Sequence, residues 1–60
     1  MEYKQALGMA VGDQVIVKDT RKKTTIIDIQ KVQNGFYPAV YFYCNDGQRH
    51  YYSTVEPNAS

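Results

Sequence analysis

The stretch FYPAVYFYCNDGQRHYYS, residues 36–53, decides the fold of this 60-residue chain. Two aromatic-rich runs flank Asp46-Gly47, the residue pair that a two-residue type I′ hairpin turn requires. The first run extends from Phe36 to Cys44, with Pro38 near its start, where a strand tolerates proline. The second run extends from Gln48 to Ser53. The stretch therefore predicts an antiparallel β-hairpin.

Two further strands are predicted before this hairpin. The first, Gln14–Lys18, follows a turn signal at Gly12-Asp13, and the second is the long β-branched run Thr24–Val32. Within the second run, Ile26 falls on the opposite parity to the residues at positions 27 and 29. That change of parity predicts a bulge, a bend or a strand partly covered on both faces.

The two ends of the chain and one connection complete the predicted elements. Residues 1–10 read as an N-terminal arm or a single helical turn, and 33–35 read as a turn. Ser53–Pro57 is predicted to be a 3₁₀-like turn or a brief last strand, and residues 58–60 a polar tail. The predicted domain therefore spans residues 11–57.

Length and composition limit the class of protein. A chain of this length buries only about 60% of the surface that its unfolded form exposes. Its 43% hydrophobic and 22% charged residues are nevertheless typical of a folded domain. No run approaches the roughly 18 apolar residues of a membrane helix, and Met1–Gln5 does not resemble a signal peptide. A single cysteine favours a reducing compartment, so we expect a cytoplasmic protein without a membrane partner.

The predicted elements lead to a fold class. Four or five short strands with almost no helix must bury their edges, and a small, bent antiparallel barrel achieves this in few residues. Val11–Val17 as an opening strand, the hairpin of Val40–Phe42 with Asp46-Gly47, and the Ser53–Pro57 turn resemble the SH3-like small-barrel superfold of KOW and Tudor domains. The resemblance implies an all-β fold, an SH3-like antiparallel barrel of four to five strands, and loosely a binding role.

The register of the hairpin determines which side chains share a face. A two-residue loop places Tyr43 opposite His50 and Tyr41 opposite Tyr52, and it directs Tyr51 inward beside the apolar residues of the first strand. A loop of three residues would shift every pair by one. The predicted partner-binding face consists of Tyr41, Tyr43, His50 and Tyr52, with Tyr37 as a further member.

Two interpretations of this aromatic face remain open at this stage. Cross-strand aromatic pairs stabilise a small sheet without any partner, and Leu7 and Met9 of the N-terminal arm could cover the rings. Contiguous exposed apolar surface also marks interaction sites. The second interpretation predicts a protein partner or a second copy of the chain, as in a homodimer.

A basic segment offers an alternative function. Its members are Lys18, Arg21, Lys22 and Lys23. Basic charge beside aromatic rings is the general recipe for single-stranded nucleic acid, because cations contact phosphates while rings stack on bases. The alternative prediction is therefore a nucleic-acid-binding barrel that uses the loop over residues 18–23. The net charge of +1 gives the protein no overall positive electrostatic field that would attract nucleic acid.

Catalysis has little support in the sequence. His50 is the only histidine, and the parity of Cys44 directs its thiol inward, where a free cysteine behaves as a small hydrophobe. Arg49, predicted opposite Cys44, could lower the thiol pKa. We find no spaced set of metal ligands, no phosphate loop and no nucleophile triad. We therefore predict a non-enzymatic binding module with no cofactor, no metal and no small-molecule substrate.

Overall fold

The computed structural model describes residues 1–34 and 36–58. The fold is all-β apart from one short helix and one 3₁₀ helix, and five strands form a single antiparallel sheet in the order β4-β3-β2-β1-β5. The elements are α1 (Tyr3–Leu7), β1 (Gln14–Val17), β2 (Lys23–Asn34), β3 (Tyr37–Cys44), β4 (Arg49–Tyr51), the 3₁₀ helix (Tyr52–Thr54) and β5 (Val55–Pro57).

The predicted strands are confirmed with small changes of boundary. β2 is longer than predicted, and β4 ends at Tyr51 because the chain turns there into the 3₁₀ helix. The segment predicted as a turn or a last strand is both, since the 3₁₀ helix leads directly into β5. Residue 35 of the predicted turn over 33–35 lies outside the described residues, and so do residues 59 and 60 of the predicted tail over 58–60.

The sheet is open in the part of the chain that the structure describes. β4 and β5 form its two edges, and no ladder joins them there. The 3₁₀ helix connects these edges, and α1, with its fully buried Ala6, packs against β3 and the 3₁₀ helix. The short helix therefore contributes to the core of the open sheet, which explains how a five-residue helix is held in place.

The predicted bulge is present in β2. Ile26 pairs with Cys44 and Asp28 with Tyr43, so Ile27 is the extra residue. The insertion brings Ile26 and Ile29 to the core although their sequence parity differs, and it leaves Ile27 56% exposed. Because β2 bends here, its first part pairs with β1 and its longer second part with β3.

The core lies on one face of the sheet. Val40, Phe42 and Cys44 of β3 all point into it, as their parity predicted. The complete set of buried apolar residues is Ala6, Val15, Ile26, Val40, Phe42, Cys44 and Val55. The longest helix in residues 1–34 and 36–58 has five residues, so none of the helices described there could span a membrane.

Candidate functional site

The loop between β3 and β4 has three residues, Asn45, Asp46 and Gly47. The backbone N–H of Gly47 donates to the carbonyl of Cys44 at 3.1 Å, and the N–H of Cys44 donates to the carbonyl of Gln48 at 3.1 Å. Gly47 has a φ of +81°, the left-handed conformation that closes a three-residue hairpin loop. The predicted two-residue turn is therefore wrong, although Asp46-Gly47 does mark the hairpin.

A side-chain anchor holds this longer loop. Asn45 Oδ1 accepts a hydrogen bond from Thr24 Oγ1 at 2.9 Å and another from the backbone N–H of Thr25 at 3.2 Å. The Asn45 N–H also donates to the Thr25 carbonyl at 2.9 Å. The loop is thus tied to the start of β2, and this tie makes Asn45 a loop residue instead of a strand residue.

The longer loop changes the composition of the aromatic face. Tyr41 pairs with Tyr51, and Tyr43 pairs with Arg49. Tyr51 therefore points outward, and the prediction that it points into the core is wrong. His50 pairs with Phe42 and lies on the same side of the sheet as the core, which removes it from the predicted face. Tyr52 no longer lies opposite Tyr41, because it begins the 3₁₀ helix. Arg49 is a member of the face that the sequence reasoning missed.

The rings form a continuous run that begins with Tyr41 and Tyr51 on the outer side of the hairpin and ends at Tyr52, which starts the 3₁₀ helix and also packs against the core. The centroids of Tyr41 and Tyr51 are 5.4 Å apart in an edge-to-face arrangement, and those of Tyr51 and Tyr52 are 4.7 Å apart. The guanidinium carbon of Arg49 lies 4.4 Å from the centroid of Tyr41, which is a cation–π contact. We call this surface the tyrosine face, and its members are Tyr41, Tyr43, Arg49, Tyr51 and Tyr52.

Polar side chains of β2 border the tyrosine face. The hydroxyl of Tyr43 donates to Gln30 Oε1 at 3.0 Å, and Gln30 itself pairs with Tyr41. This hydrogen bond fixes the orientation of the Tyr43 ring. At the far end of β3, Tyr37 is 82% exposed and lies on the same side as Tyr41 by the two-residue period. The prediction placed Tyr37 with the aromatic face, and the structure places it on that side but four residues from the ring cluster.

The hydroxyl of Tyr51, at the centre of the face, has a raised pKa and stays protonated near neutral pH. A hydrogen bond with Tyr52 is the main cause that raises the pKa of Tyr51 above its ordinary value. Reduced solvation and the nearby Tyr41 and Tyr52 hydroxyls act in the same direction. At this point the surface therefore offers the neutral hydroxyl of Tyr51, near the charge of Arg49.

The N-terminal helix reaches only one end of this face. The ring of Tyr3 lies 5.8 Å from that of Tyr52 in an edge-to-face arrangement. Met9 packs against the core cluster, whereas Leu7 is 40% exposed. The ring contact that the structure shows for the arm is made by Tyr3, a residue that the sequence analysis did not single out.

The basic loop lies beside carboxylates from other parts of the chain. Arg21 forms an exposed ion pair with Glu56 at 3.4 Å, and Lys18 lines a cleft that also contains Glu56. Lys23 is the first residue of β2, and Lys22 borders a cavity that also contains Asp46. In residues 1–34 and 36–58 the cation found over a tyrosine ring is Arg49, which is not part of this loop.

The histidine and the cysteine have different environments. His50 Nε2 lies 2.9 Å from Asp46 Oδ2, and this hydrogen bond is the main cause that lowers the pKa of Asp46. Burial raises the pKa of the Cys44 thiol, and the charge of Asp46 adds to the effect. Arg49 lies on the other side of the sheet, so it does not activate Cys44 as the sequence suggested. The described part of the chain contains no cluster of three or more metal-ligating side chains.

Comparison with known proteins identifies no relative. No model of a known protein family matches the chain, and no curated protein or solved structure is significantly similar to it. The chemistry of the two faces of the β3–β4 hairpin is therefore the basis for a functional assignment.

Proposed function

We propose that this chain is a non-enzymatic binding module that recognises another protein, or a second copy of itself, through the tyrosine face. The observation that carries the proposal is the continuous run from Arg49 over Tyr41 to Tyr51 and Tyr52. Tyrosine and arginine are the residue types that contribute most to binding energy at protein interfaces, together with tryptophan. Rigid rings also lose little conformational entropy when a partner covers them.

The exposure of the rings supports a binding role in addition to a stabilising one. Contacts between the rings account for part of their burial and stabilise the hairpin. Tyr41, Tyr43, Tyr51 and Tyr52 nevertheless remain only partly buried, and Arg49 is exposed. A partner could therefore cover the open sides of the rings without disturbing the contacts among them.

We also propose that the fold is an SH3-like small barrel in the cytoplasm. The strand order β4-β3-β2-β1-β5 and the 3₁₀ helix before β5 support this resemblance. The pairing of β5 with β1 brings the first and last strands together at one edge of the sheet, which is the arrangement that the resemblance implies. The lone cysteine supports a reducing compartment.

The nucleic-acid alternative has weaker support. Arg21 faces Glu56, and Lys18 and Lys22 each border a concave region that contains a carboxylate. These carboxylates reduce the positive potential that would attract phosphates. In the described part of the chain, the cation that contacts a tyrosine ring is Arg49 and not a residue of this loop, so stacking beside these cations has no support.

An interaction screen with matched variants tests the proposal. The face variant carries Tyr41→Ser with Arg49→Ser, and the control carries Val11→Ser with Lys31→Ser, which removes an exposed apolar residue and a cation elsewhere. Sedimentation velocity measures self-association, and quantitative mass spectrometry measures proteins retained from a lysate. Each retained protein is then purified and its affinity for the three chains is measured.

The proposal predicts that wild type and control bind the same purified partner, or self-associate, with equal affinity. The face variant should have an affinity at least about tenfold lower, which corresponds to about 1.4 kcal/mol. Far-ultraviolet circular dichroism confirms that the face variant is folded. Equal binding by all three folded chains would assign the interaction to another surface.

A further inference from the structure

A second concave region lies on the core side of β4, between the loop after β1 and the loop after β3. Its volume is about 330 Å³, which falls in the range of small-molecule sites. Val17 supplies an apolar wall, and the other lining groups are polar. They are Thr20, Lys22, Asp46, Gln48 and His50.

One wall of this cavity is fixed by hydrogen bonds. Asp46 accepts from the backbone N–H of Gln48 at 2.9 Å, and its other oxygen lies 2.9 Å from His50 Nε2. Because an ionised carboxylate only accepts, Nε2 of His50 must be the donor. In the tautomer that carries its proton on Nε2, Nδ1 is an acceptor. The side chain of His50 is only 12% exposed, so its ring is held in one orientation.

The opposite wall carries a positive charge without a counter-ion. In the described part of the chain, Lys22 has no carboxylate within 4.0 Å, although it lines the same cavity as Asp46. Its backbone is fixed, because its carbonyl accepts from Val17 N–H at 2.9 Å. The Arg21 N–H donates to the Val17 carbonyl at 2.7 Å, which closes the turn that carries Lys22.

We propose that this cavity binds a small zwitterion of the α-amino-acid class. The carboxylate of the ligand contacts the ammonium group of Lys22 and the hydroxyl of Thr20. Its ammonium group donates to Asp46 and to Nδ1 of His50, and its carbon side chain lies against Val17.

The charges of the cavity favour a ligand with two poles. A simple anion attracted to Lys22 would be repelled by Asp46, and a simple cation would be repelled by Lys22. A zwitterion avoids both repulsions because each of its charges faces an opposite one. The site is independent of the tyrosine face, since His50 and Arg49 lie on opposite sides of β4.

An NMR titration of the isotopically labelled chain at neutral pH and constant ionic strength tests this proposal. The probes are L-valine, N-acetyl-L-valine, which keeps only the negative charge, and L-valinamide, which keeps only the positive charge. L-valine should shift the imidazole signals of His50 and the side-chain amide of Gln48 with a dissociation constant on the order of 1 mM. Each singly charged analogue should bind at least about tenfold more weakly.

Two variants assign the response to the cavity. Lys22→Gln should weaken L-valine binding at least about tenfold, and Lys31→Gln, which removes a lysine outside the cavity, should leave it unchanged. Unchanged dispersion of the amide spectrum shows that each variant is folded. The proposal is overturned if L-valine causes no shifts up to about 50 mM, if an analogue binds equally well, or if Lys22→Gln has no effect.

Discussion

Asn45→Ala should destabilise the chain because Asn45 holds the loop that determines the hairpin register. The substitution removes two hydrogen bonds to Asn45 Oδ1, each with a net contribution of about 1 kcal/mol. It also leaves the hydroxyl of Thr24, a residue only 6% exposed, without its acceptor. The expected loss is about 2–3 kcal/mol. That is a large fraction of the roughly 3–9 kcal/mol expected for a domain of this size.

A double-mutant cycle isolates this contribution. Thr24→Val removes the buried hydroxyl at nearly constant volume, so Asn45→Ala should cost about 1 kcal/mol less in that background than in wild type. Urea denaturation followed by circular dichroism and tyrosine fluorescence measures each free energy, and the chain has no tryptophan to interfere. With an m-value near 1 kcal/mol/M, Asn45→Ala should lower the midpoint by about 2 M.

The neighbouring exposed residue provides a control. Gln48→Ala should change the free energy of unfolding by less than about 0.5 kcal/mol, since no side-chain hydrogen bond of Gln48 appears in the described part of the chain. A coupling energy between Thr24 and Asn45 below about 0.3 kcal/mol would refute the anchor and with it the reasoning behind the three-residue loop.

Three further predictions concern the same hairpin. Asp46→Asn should lower the free energy of unfolding at pH 5 but not near pH 2, because hydrogen bonds lower the pKa of Asp46 in the folded state. The stability that this lowered pKa provides is lost as the pH falls through it. Urea midpoints at the two pH values measure the difference, and an equal loss of stability at both would contradict the prediction. Cys44 should react with iodoacetamide at least about 100-fold more slowly in the folded chain than in urea, since its thiol is buried and its pKa raised, and fast labelling would show that it is accessible. Gly47→Ala should cost about 1 kcal/mol because φ is +81° there, whereas a cost near zero would contradict the left-handed loop conformation.

The fold was accessible from the sequence because its signals are local. Alternation predicted the inward set Val40, Phe42 and Cys44, and the change of parity at Ile26 predicted the bulge. β-branched runs and turn residues located the strands to within a few residues. Closure of the sheet into a barrel depends on contacts between distant strands, so local signals could not predict it. In the described residues the sheet is open, and α1 and the 3₁₀ helix pack beside it.

The composition of the tyrosine face depended on a contact between residues that are distant in sequence. Asp46-Gly47 is compatible with hairpin loops of two or three residues, and the hydrogen bonds that Asn45 accepts from Thr24 and Thr25 select the longer one. Because the loop has one more residue, Arg49 lies opposite Tyr43 in place of His50, and Tyr51 lies opposite Tyr41 in place of Tyr52. In the sequence, the observed pairing was available only as the alternative register, the one that a three-residue loop produces.

The basic loop shows the same limitation. Arg21 pairs with Glu56, which is 35 positions later in the chain, and Lys22 shares a cavity with Asp46. A count of charges along residues 18–23 does not reveal carboxylates that other elements bring alongside. The sequence therefore suggested a basic surface where the structure has mixed charge.

Site-specific photo-crosslinking tests the tyrosine face most directly. A photoreactive phenylalanine analogue is placed at position 43, on the face, and in a separate chain at position 31, whose strand partner Val40 points into the core. The account predicts a discrete crosslinked protein, or a crosslinked dimer, from position 43 but not from position 31, and its loss when Arg49→Ser is added. Equal products from both positions, or a product from position 43 that survives Arg49→Ser, would contradict the assignment of this face as the binding surface.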